Sequence, residues 1–435
     1  MILKPSTYEI AKELKNQDLD FLYNVYLLRC LTIRQAYKYF FSDTIDSFEL
    51  FMETKFLDLI ELEVIDCVEF NLTNQAVFLT SQGVEIVRYQ FDLPTDILDP
   101  KRKIIKRGYY RAGELKMNPR LINHQIHLNQ FVLDFKEKTQ ENDIKWRYFD
   151  EKYVSQYKNI RPDGLIQIFD TDFFLEMDMA TESKKQLKEK WNHYRSFLQS
   201  SEYYYKDKDK KIIVLFLIDN TEKVESRKDL VRFTAVDSLL DGFDNEFELY
   251  IGTTKELLEL MCNKLIPNLQ HSNWRQEEVL RIIHEKHGFH FSNGEKLRKA
   301  LHDTDYGFYI RKIKQDNNLL IENGRVQEFL FDDYTSQPLS ILKKIAYHER
   351  NIASFHRRFG REIGYLILVK NEVEAFHDLE IANDLVGIKN IYFTTLERLN
   401  SKPLHEAVYQ YDSLGNIHHF SNSGFQERVY ESSLK

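Results

Sequence analysis

The sequence predicts a mixed α+β protein: a winged helix-turn-helix, then a mixed sheet with helices packed on it, then a degenerate second copy of that core. Three observations carry this. Apolar residues near the N-terminus recur at helical spacing and are followed by two short strand-like runs around an asparagine turn. Further on, apolar runs of strand length alternate with amphipathic helical segments, the pattern of a sheet with helices packed on it. Towards the C-terminus that alternation comes round again.

At 435 residues the chain has room for two to four domains of ~100–200 residues. The expected divisions are a winged helix over 1–95, a basic linker over 96–120, a domain of mixed sheet and helices over 121–268 and the repeat over 269–435. No apolar run approaches the ~18–20 residues that cross a bilayer. The N-terminus lacks a signal-peptide core, so a cytoplasmic protein with no membrane association is expected. Cys30, Cys67 and Cys262 are too far apart for a zinc site or a disulfide framework and read as buried thiols.

Within the first division, a helix is expected over Leu19–Arg29, a second capped by Thr32, and a third announced by Thr44. Strands Ile60–Phe70 and Ala76–Thr80 would form the wing, and the segment from Leu79 begins a closing helix. The third helix would be the one to read a DNA groove, yet it carries Asp43, Asp46, Glu49 and Glu53 against Lys55 alone. Groove-reading helices present cations and amides. The module therefore reads equally as a DNA reader and as a protein-contact module.

Net charge is −8, which excludes a surface broadly coated for nucleic acid, but charge is unevenly spread. Lys101, Arg102, Lys103, Lys106, Arg107, Arg111, Lys116 and Arg120 face only Glu114, with Tyr109 and Tyr110 among them. Such a segment can neutralise phosphates and stack on unpaired bases, or be a solvated linker.

A helix over Leu121–Thr139 carries His124 and His127, which read as packing residues. Beyond a strand at Lys145–Phe149 comes Arg161-Pro-Asp163. A hairpin then pairs Leu165–Phe169 with Phe173–Met177 around an Asp170-Thr171-Asp172 turn. Side chains alternate along a strand, so Glu176 and Asp178 share a face. Carboxylates gathered there, with Asp163, could hold a hard divalent cation. The helix Lys184–Leu198 follows, bearing Lys184, Lys190 and Tyr194. Strands Lys211–Asp219 and Phe247–Thr253 flank a helix at Arg227–Leu240. A helix over Thr254–Leu265 ends at Pro267. Helices at Arg275–Lys286 and Asn293–Leu301 precede the repeat. There, Glu328–Ser336 parallels Phe173–Thr181, with Phe331 at the Glu176 position, Asn317 or Asn318 in place of the Pro-Asp acid, and Asp333 opposite Asp178.

Leu79-Thr-Ser-Gln-Gly83, Asn123-His-Gln-Ile-His-Leu-Asn129, Arg161-Pro-Asp163, Glu176-Met-Asp178, Thr181-Glu182, Lys190 and Tyr194 follow one another in an order that resembles the replication-relaxation family of plasmids and mobile elements. The resemblance covers the first two-thirds of the chain. It implies a winged helix joined to a PD-(D/E)xK nuclease-like core, as in the MOBC-type relaxases that nick plasmid DNA at a transfer origin. It also implies that Asp163, Glu176 and Asp178 bind Mg²⁺ or Mn²⁺ and act in catalysis with Lys190. The DNA contacts would be Lys101, Arg102, Lys103, Lys106, Arg107, Arg111, Arg161, Lys184 and Tyr194. Asp178 departs from the family pattern, since a lysine is expected there. Tyr194 could equally pack in the core.

Three functions follow as expectations. The first is a metal-dependent nickase acting on double-stranded and single-stranded DNA at a plasmid origin, alongside other transfer or replication proteins and as a homodimer. The second is a non-catalytic DNA-binding replication or transfer factor on the same fold. The third is a protein-interaction scaffold.

Overall fold

The computed structural model describes residues 5–419 apart from 72–73, 94–95, 99–103, 141–143, 156, 205–209, 220–222, 244–245, 271–273, 294–305, 314–320, 323–324, 327, 335–337, 361–362, 373, 382–387, 389 and 413. It is a mixed α+β protein. The chain forms two compact units, one of residues 1–183, 196–227 and 250–262, the other of residues 184–195, 228–249 and 263–435. Among the described residues, no helix is long and apolar enough to cross a membrane.

The first unit begins with helices Pro5–Glu13 and Asn16–Leu28. The former has no strong signal in the sequence. Strand β1 (Leu31–Thr32) leads into helix Ile33–Ala36, which Thr32 caps by accepting the Gln35 N–H while the Gln35 side chain returns to the Thr32 N–H. The third helix starts at Phe48, capped by Ser47 rather than announced by Thr44, and runs on to Glu61. Strands β2 (Ile65–Asn71) and β3 (Asn74–Leu79) complete an antiparallel sheet of order β1-β3-β2, and Thr80 caps the closing helix Ser81–Gln90. A short outer strand paired with the second strand of a hairpin, behind three helices, is the layout expected of a winged helix. Buried aromatic rings fill it, Phe41 lying on Phe51 at 5.1 Å and edge-on to Phe21 at 5.3 Å.

A small antiparallel pair, β4 (Asp96–Leu98) and β5 (Ile104–Arg107), precedes the long helix Pro119–Gln140. The central sheet comprises β6 (Trp146–Asp150), β7 (Gly164–Ile168), β8 (Thr171–Asp178), β9 (Lys211–Ile218) and β10 (Phe247–Thr253), in spatial order β10-β9-β8-β7-β6. The β6–β7 and β7–β8 pairs are antiparallel and β8–β9 is parallel. Every residue of β8 is buried, as in a strand covered on both faces. The hairpin turn falls at Phe169–Asp170, one step earlier than expected, with Phe169 at φ 49°. Asp172 therefore lies inside the strand, where Lys210 pairs with it at 3.1 Å.

The helix beginning at Thr254 does not end at Pro267. Turns Met261–Leu265 and Ile266–Gln270 continue it, and Pro267 lies within the last of them, where it gives no N–H to the helical ladder. Of the three cysteines only Cys30 is buried. The helix expected over Asn293–Leu301 lies outside the described residues beyond Asn293, which ends a strand.

The second unit's sheet has β11 (His290–Asn293) and β12 (Phe308–Arg311), then β15 (Glu328–Asp333), β16 (Gly364–Val369), β17 (Ile391–Thr395), β18 (Tyr409–Tyr411) and β19 (Ile417–His419). A separate ladder joins β13 (Ile321–Glu322) to β14 (Arg325–Val326). The large sheet's first four strands run antiparallel, antiparallel, parallel, repeating the β6 to β9 directions. The helix Pro338–Phe359 falls between β15 and β16 as Lys184–Leu198 falls between β8 and β9. Register corrects one detail of the expected repeat. Gly164 pairs with Leu175 and Phe308 with Phe331, so one residue further along stand Glu176 and Asp332. An acid therefore occupies the Glu176 place, and Phe331 does not. Buried Asp332 binds Lys344 Nζ of the following helix at 2.9 Å and accepts the Tyr365 hydroxyl and the Gly307 N–H, each at 2.9 Å.

Candidate functional site

The site lies in the first unit, at the C-terminal ends of β8 and β9, where parallel strands leave side chains and backbone groups open at a sheet edge. One helix supplies half of it. On Pro119–Gln140, Gln125 and Asn129 face the winged-helix module. The Asn129 amide donates to the Leu28 and Cys30 carbonyls at 3.0 and 2.6 Å, and Gln125 donates to Asn129 at 2.9 Å. His124 and His127, three residues apart, share a different face. His124 Nε2 lies 3.0 Å from the Met177 carbonyl oxygen and 3.4 Å from Asp163 Oδ2, and His127 Nδ1 lies 3.1 Å from Asp219 Oδ1. The amide pair thus fixes the helix roll that aims the imidazoles.

Asp163 is positioned by the strand ladder. Its N–H donates to the Leu175 carbonyl at 2.9 Å, and its Oδ2 accepts the Met177 N–H at 2.8 Å. Its side chain keeps 28% exposure, so it stays accessible from solvent. Glu176, buried at 3%, sits across from it by register.

Asp178 has a different role from the one expected. It is buried, and Arg227 grips it with both arms: Nε to Oδ2 at 2.6 Å and Nη2 to Oδ1 at 2.9 Å. Asp178 Oδ1 also accepts the Ala180 N–H at 3.0 Å, and Arg227 Nη1 donates to the Glu182 carbonyl at 2.7 Å. Arg227 and the Ala180 N–H thus occupy most of the acceptor sites of the Asp178 carboxylate, and in this arrangement it serves as the partner of a buried ion pair.

A Mg²⁺ or Mn²⁺ ion needs several oxygen donors around one point. Asp163 Oδ2 and the Met177 carbonyl do converge, on His124 Nε2. With Asp178 withdrawn, the expected trio is not assembled, and among the described residues no three His, Cys, Asp or Glu side chains could hold an ion. The residues as arranged do not fit a three-carboxylate metal centre.

The other expected site residues scatter. Lys190 belongs to the second unit. Lys184, also there, is exposed with its ammonium over the Phe233 ring at 4.4 Å. Tyr194 is buried to 1% between Trp191 and Phe247, so it packs a core and does not offer its hydroxyl to a phosphate. Arg161 and Arg111 are exposed. Arg107 pairs with Glu114, and Lys116 with Asp66 at 2.8 Å in an ion pair that is half-exposed on both sides. Lys101, Arg102 and Lys103 lie outside the described residues, as does the side chain of Lys106.

Sequence reasoning missed Arg227 and Asp219 and set aside His124 and His127. For the histidines the signal was present, two imidazoles at one helical spacing beside amides at another. For Arg227 there was none, since its partner lies 49 residues away.

Among curated proteins and among solved structures, nothing matches this chain. Residues 22–215 match the family model described as Replication-relaxation, a span that holds the winged helix, His124, His127, Asp163, Glu176 and Asp178.

Proposed function

We propose that this protein is a DNA-binding factor of replication or mobilisation, serving a plasmid or other mobile element, in which the strand-end site holds the fold together and does not cut. The observation that carries this reading is the Asp178–Arg227 pair, buried and bidentate where a nuclease of this type would present a lysine. The family match over residues 22–215 supports the replication or mobilisation setting. The winged-helix strand order supports a nucleic-acid role, although Asp43, Asp46, Glu49 and Glu53 of its third-helix region are exposed and Lys55 is drawn inward to Asp18 at 2.7 Å. DNA contact is then assigned to the basic segment, where Arg111 and Arg120 are exposed, and to exposed Arg161 beyond it.

A second reading, a Mg²⁺- or Mn²⁺-dependent nickase, is favoured by partly exposed Asp163, which precedes β7 opposite Glu176 of β8. In that reading Asp163 and Glu176 would hold the ion. Incubating supercoiled plasmid that carries the DNA around the protein's own gene with either ion separates the two. Salt-sensitive binding without nicked product is the expected result. Nicking that Asp163→Ala and Glu176→Ala abolish would establish the second reading instead.

A further inference from the structure

Away from the strand-end site, the first unit encloses a cavity of about 660 Å³ whose walls come from helix Asn16–Leu28, helix Pro119–Gln140, the edge strand β6 and the segment around Tyr110. Its size falls within the ~300–1,000 Å³ typical of small-molecule sites. Several of the lining side chains are aromatic, and neighbours hold them in place. Tyr23 stacks on Phe91 at 4.2 Å, Phe149 stacks on Tyr153 at 4.2 Å, and Trp146 donates its indole N–H to Thr139 at 3.0 Å. Rings fixed in this way present flat faces at little entropic cost.

Polar groups line it as well: Lys136 pairs with Asp20 at 3.1 Å on one side, and Arg147, Asp150 and Lys152 stand on and beside β6. Asp150 ends β6 and lines the cavity, its carboxylate accepting the Tyr110 hydroxyl and, at 3.3 Å, the Tyr153 N–H. Two bonds leave carboxylate lone pairs in hand. Tyr148, also lining the cavity, has a buried hydroxyl with no hydrogen-bond partner among the described residues, an unusual state for a buried polar atom. Arg147 and Lys152 add positive charge to the same wall.

We infer that this cavity binds one planar heterocycle with a donor edge, an unpaired guanine base above others, stacked on the aromatic walls with its ring N–H and amino group on Asp150. Guanine offers two adjacent donors to one carboxylate, which adenine and thymine do not, and flat aromatic walls accept any base by stacking. Arg147 and Lys152 would take the attached phosphate. The base could arrive on a free nucleotide or on an unpaired stretch of DNA, and the latter source rests on the DNA-binding reading above.

The test uses the full chain, with dGMP, dAMP and dTMP as free probes and two single-stranded oligonucleotides that differ by one guanine. Asp150→Asn keeps an N-cap for helix Glu151–Val154 while replacing the acceptor pair. Leu27→Trp fills the cavity from its wall without removing a polar group. Calorimetry should show dGMP binding more tightly than dAMP and dTMP, and both variants weakening it roughly tenfold or more with unchanged melting temperature. A guanine-dependent oligonucleotide affinity that dGMP competes away assigns the base to DNA. Nucleotide binding lost in the variants without any DNA binding upholds the cavity, assigns the base to free nucleotide and removes the DNA reading. DNA binding that shows no base preference and is indifferent to both substitutions overturns this inference while the DNA reading stands.

Discussion

At the end of β8 a single carboxylate governs how the site is read. Asp178 is fully buried and Arg227 nearly so, and removal of one partner from such a pair strands the other charge in a medium that cannot solvate it. Arg227→Met should lower unfolding free energy by about 3–5 kcal/mol in urea denaturation, whereas replacing both residues by apolar ones should recover most of that. A double variant as unstable as the single one would mean that the pair is not the relevant interaction. His348, buried in the second unit, gives a separate prediction. Burial pushes its imidazole down to about 3, so the folded state favours the neutral ring. Below the ordinary value of about 6.5 the unfolded chain takes up a proton that the folded chain refuses. Stability should fall as pH drops from about 6.5 towards 3, and His348→Gln should flatten that fall when melting temperature is followed against pH. Identical profiles in the two proteins would contradict it. Neither residue advertised its role in the sequence. Burial and long-range pairing decide both, and those are properties of the folded chain.

Elements divide labour by face. Helix Pro119–Gln140 turns Gln125 and Asn129 to the winged helix and His124 and His127 to the strand ends, so its orientation links the two. Asn129→Ala would leave the buried Leu28 and Cys30 carbonyls without their donor, a loss of about 1–3 kcal/mol, readable in the same denaturation. The third helix of the winged module shows the opposite economy. Its exposed acids face solvent and its lysine faces inward. Neutralising Glu49 and Glu53 to Gln should leave affinity for origin DNA unchanged or slightly raised, while Arg111→Ala should weaken it and reduce the salt slope by about one. A loss of affinity from the two glutamates would place the contact on that helix after all. Helices and strands of this kind were largely legible: Lys184–Leu198, Phe247–Thr253 and Gly364–Val369 occur as expected, because their apolar period and bounding residues agree. The misplaced features were local ones. A serine three residues beyond Thr44 made the better cap, and the helix from Thr254 ran on past a proline that its sequence marks as a boundary.

Across the whole molecule, the two sheets share strand directions and the position of the intervening helix, which we read as an internal repeat. The sequence exposed that repeat through apolar runs but misaligned it by one residue, since a strand's register is set by hydrogen bonds to its neighbours and not by its own composition. With the register in hand, Asp332 and Lys344 preserve an acid and a helix lysine in the second unit, both sealed from solvent. Asp178 and Arg227 in the first unit form a similarly closed pair. In each unit a strand-end acid is thus neutralised by a basic side chain within the fold.

The most direct test pairs binding with cleavage on one substrate, the supercoiled plasmid bearing the DNA around the protein's own gene. The account predicts retention of that DNA at low salt, steep loss of binding as salt rises, and unchanged supercoiling with Mg²⁺ or Mn²⁺ present. Conversion to nicked circles that disappears in Asp163→Ala and Glu176→Ala would contradict it.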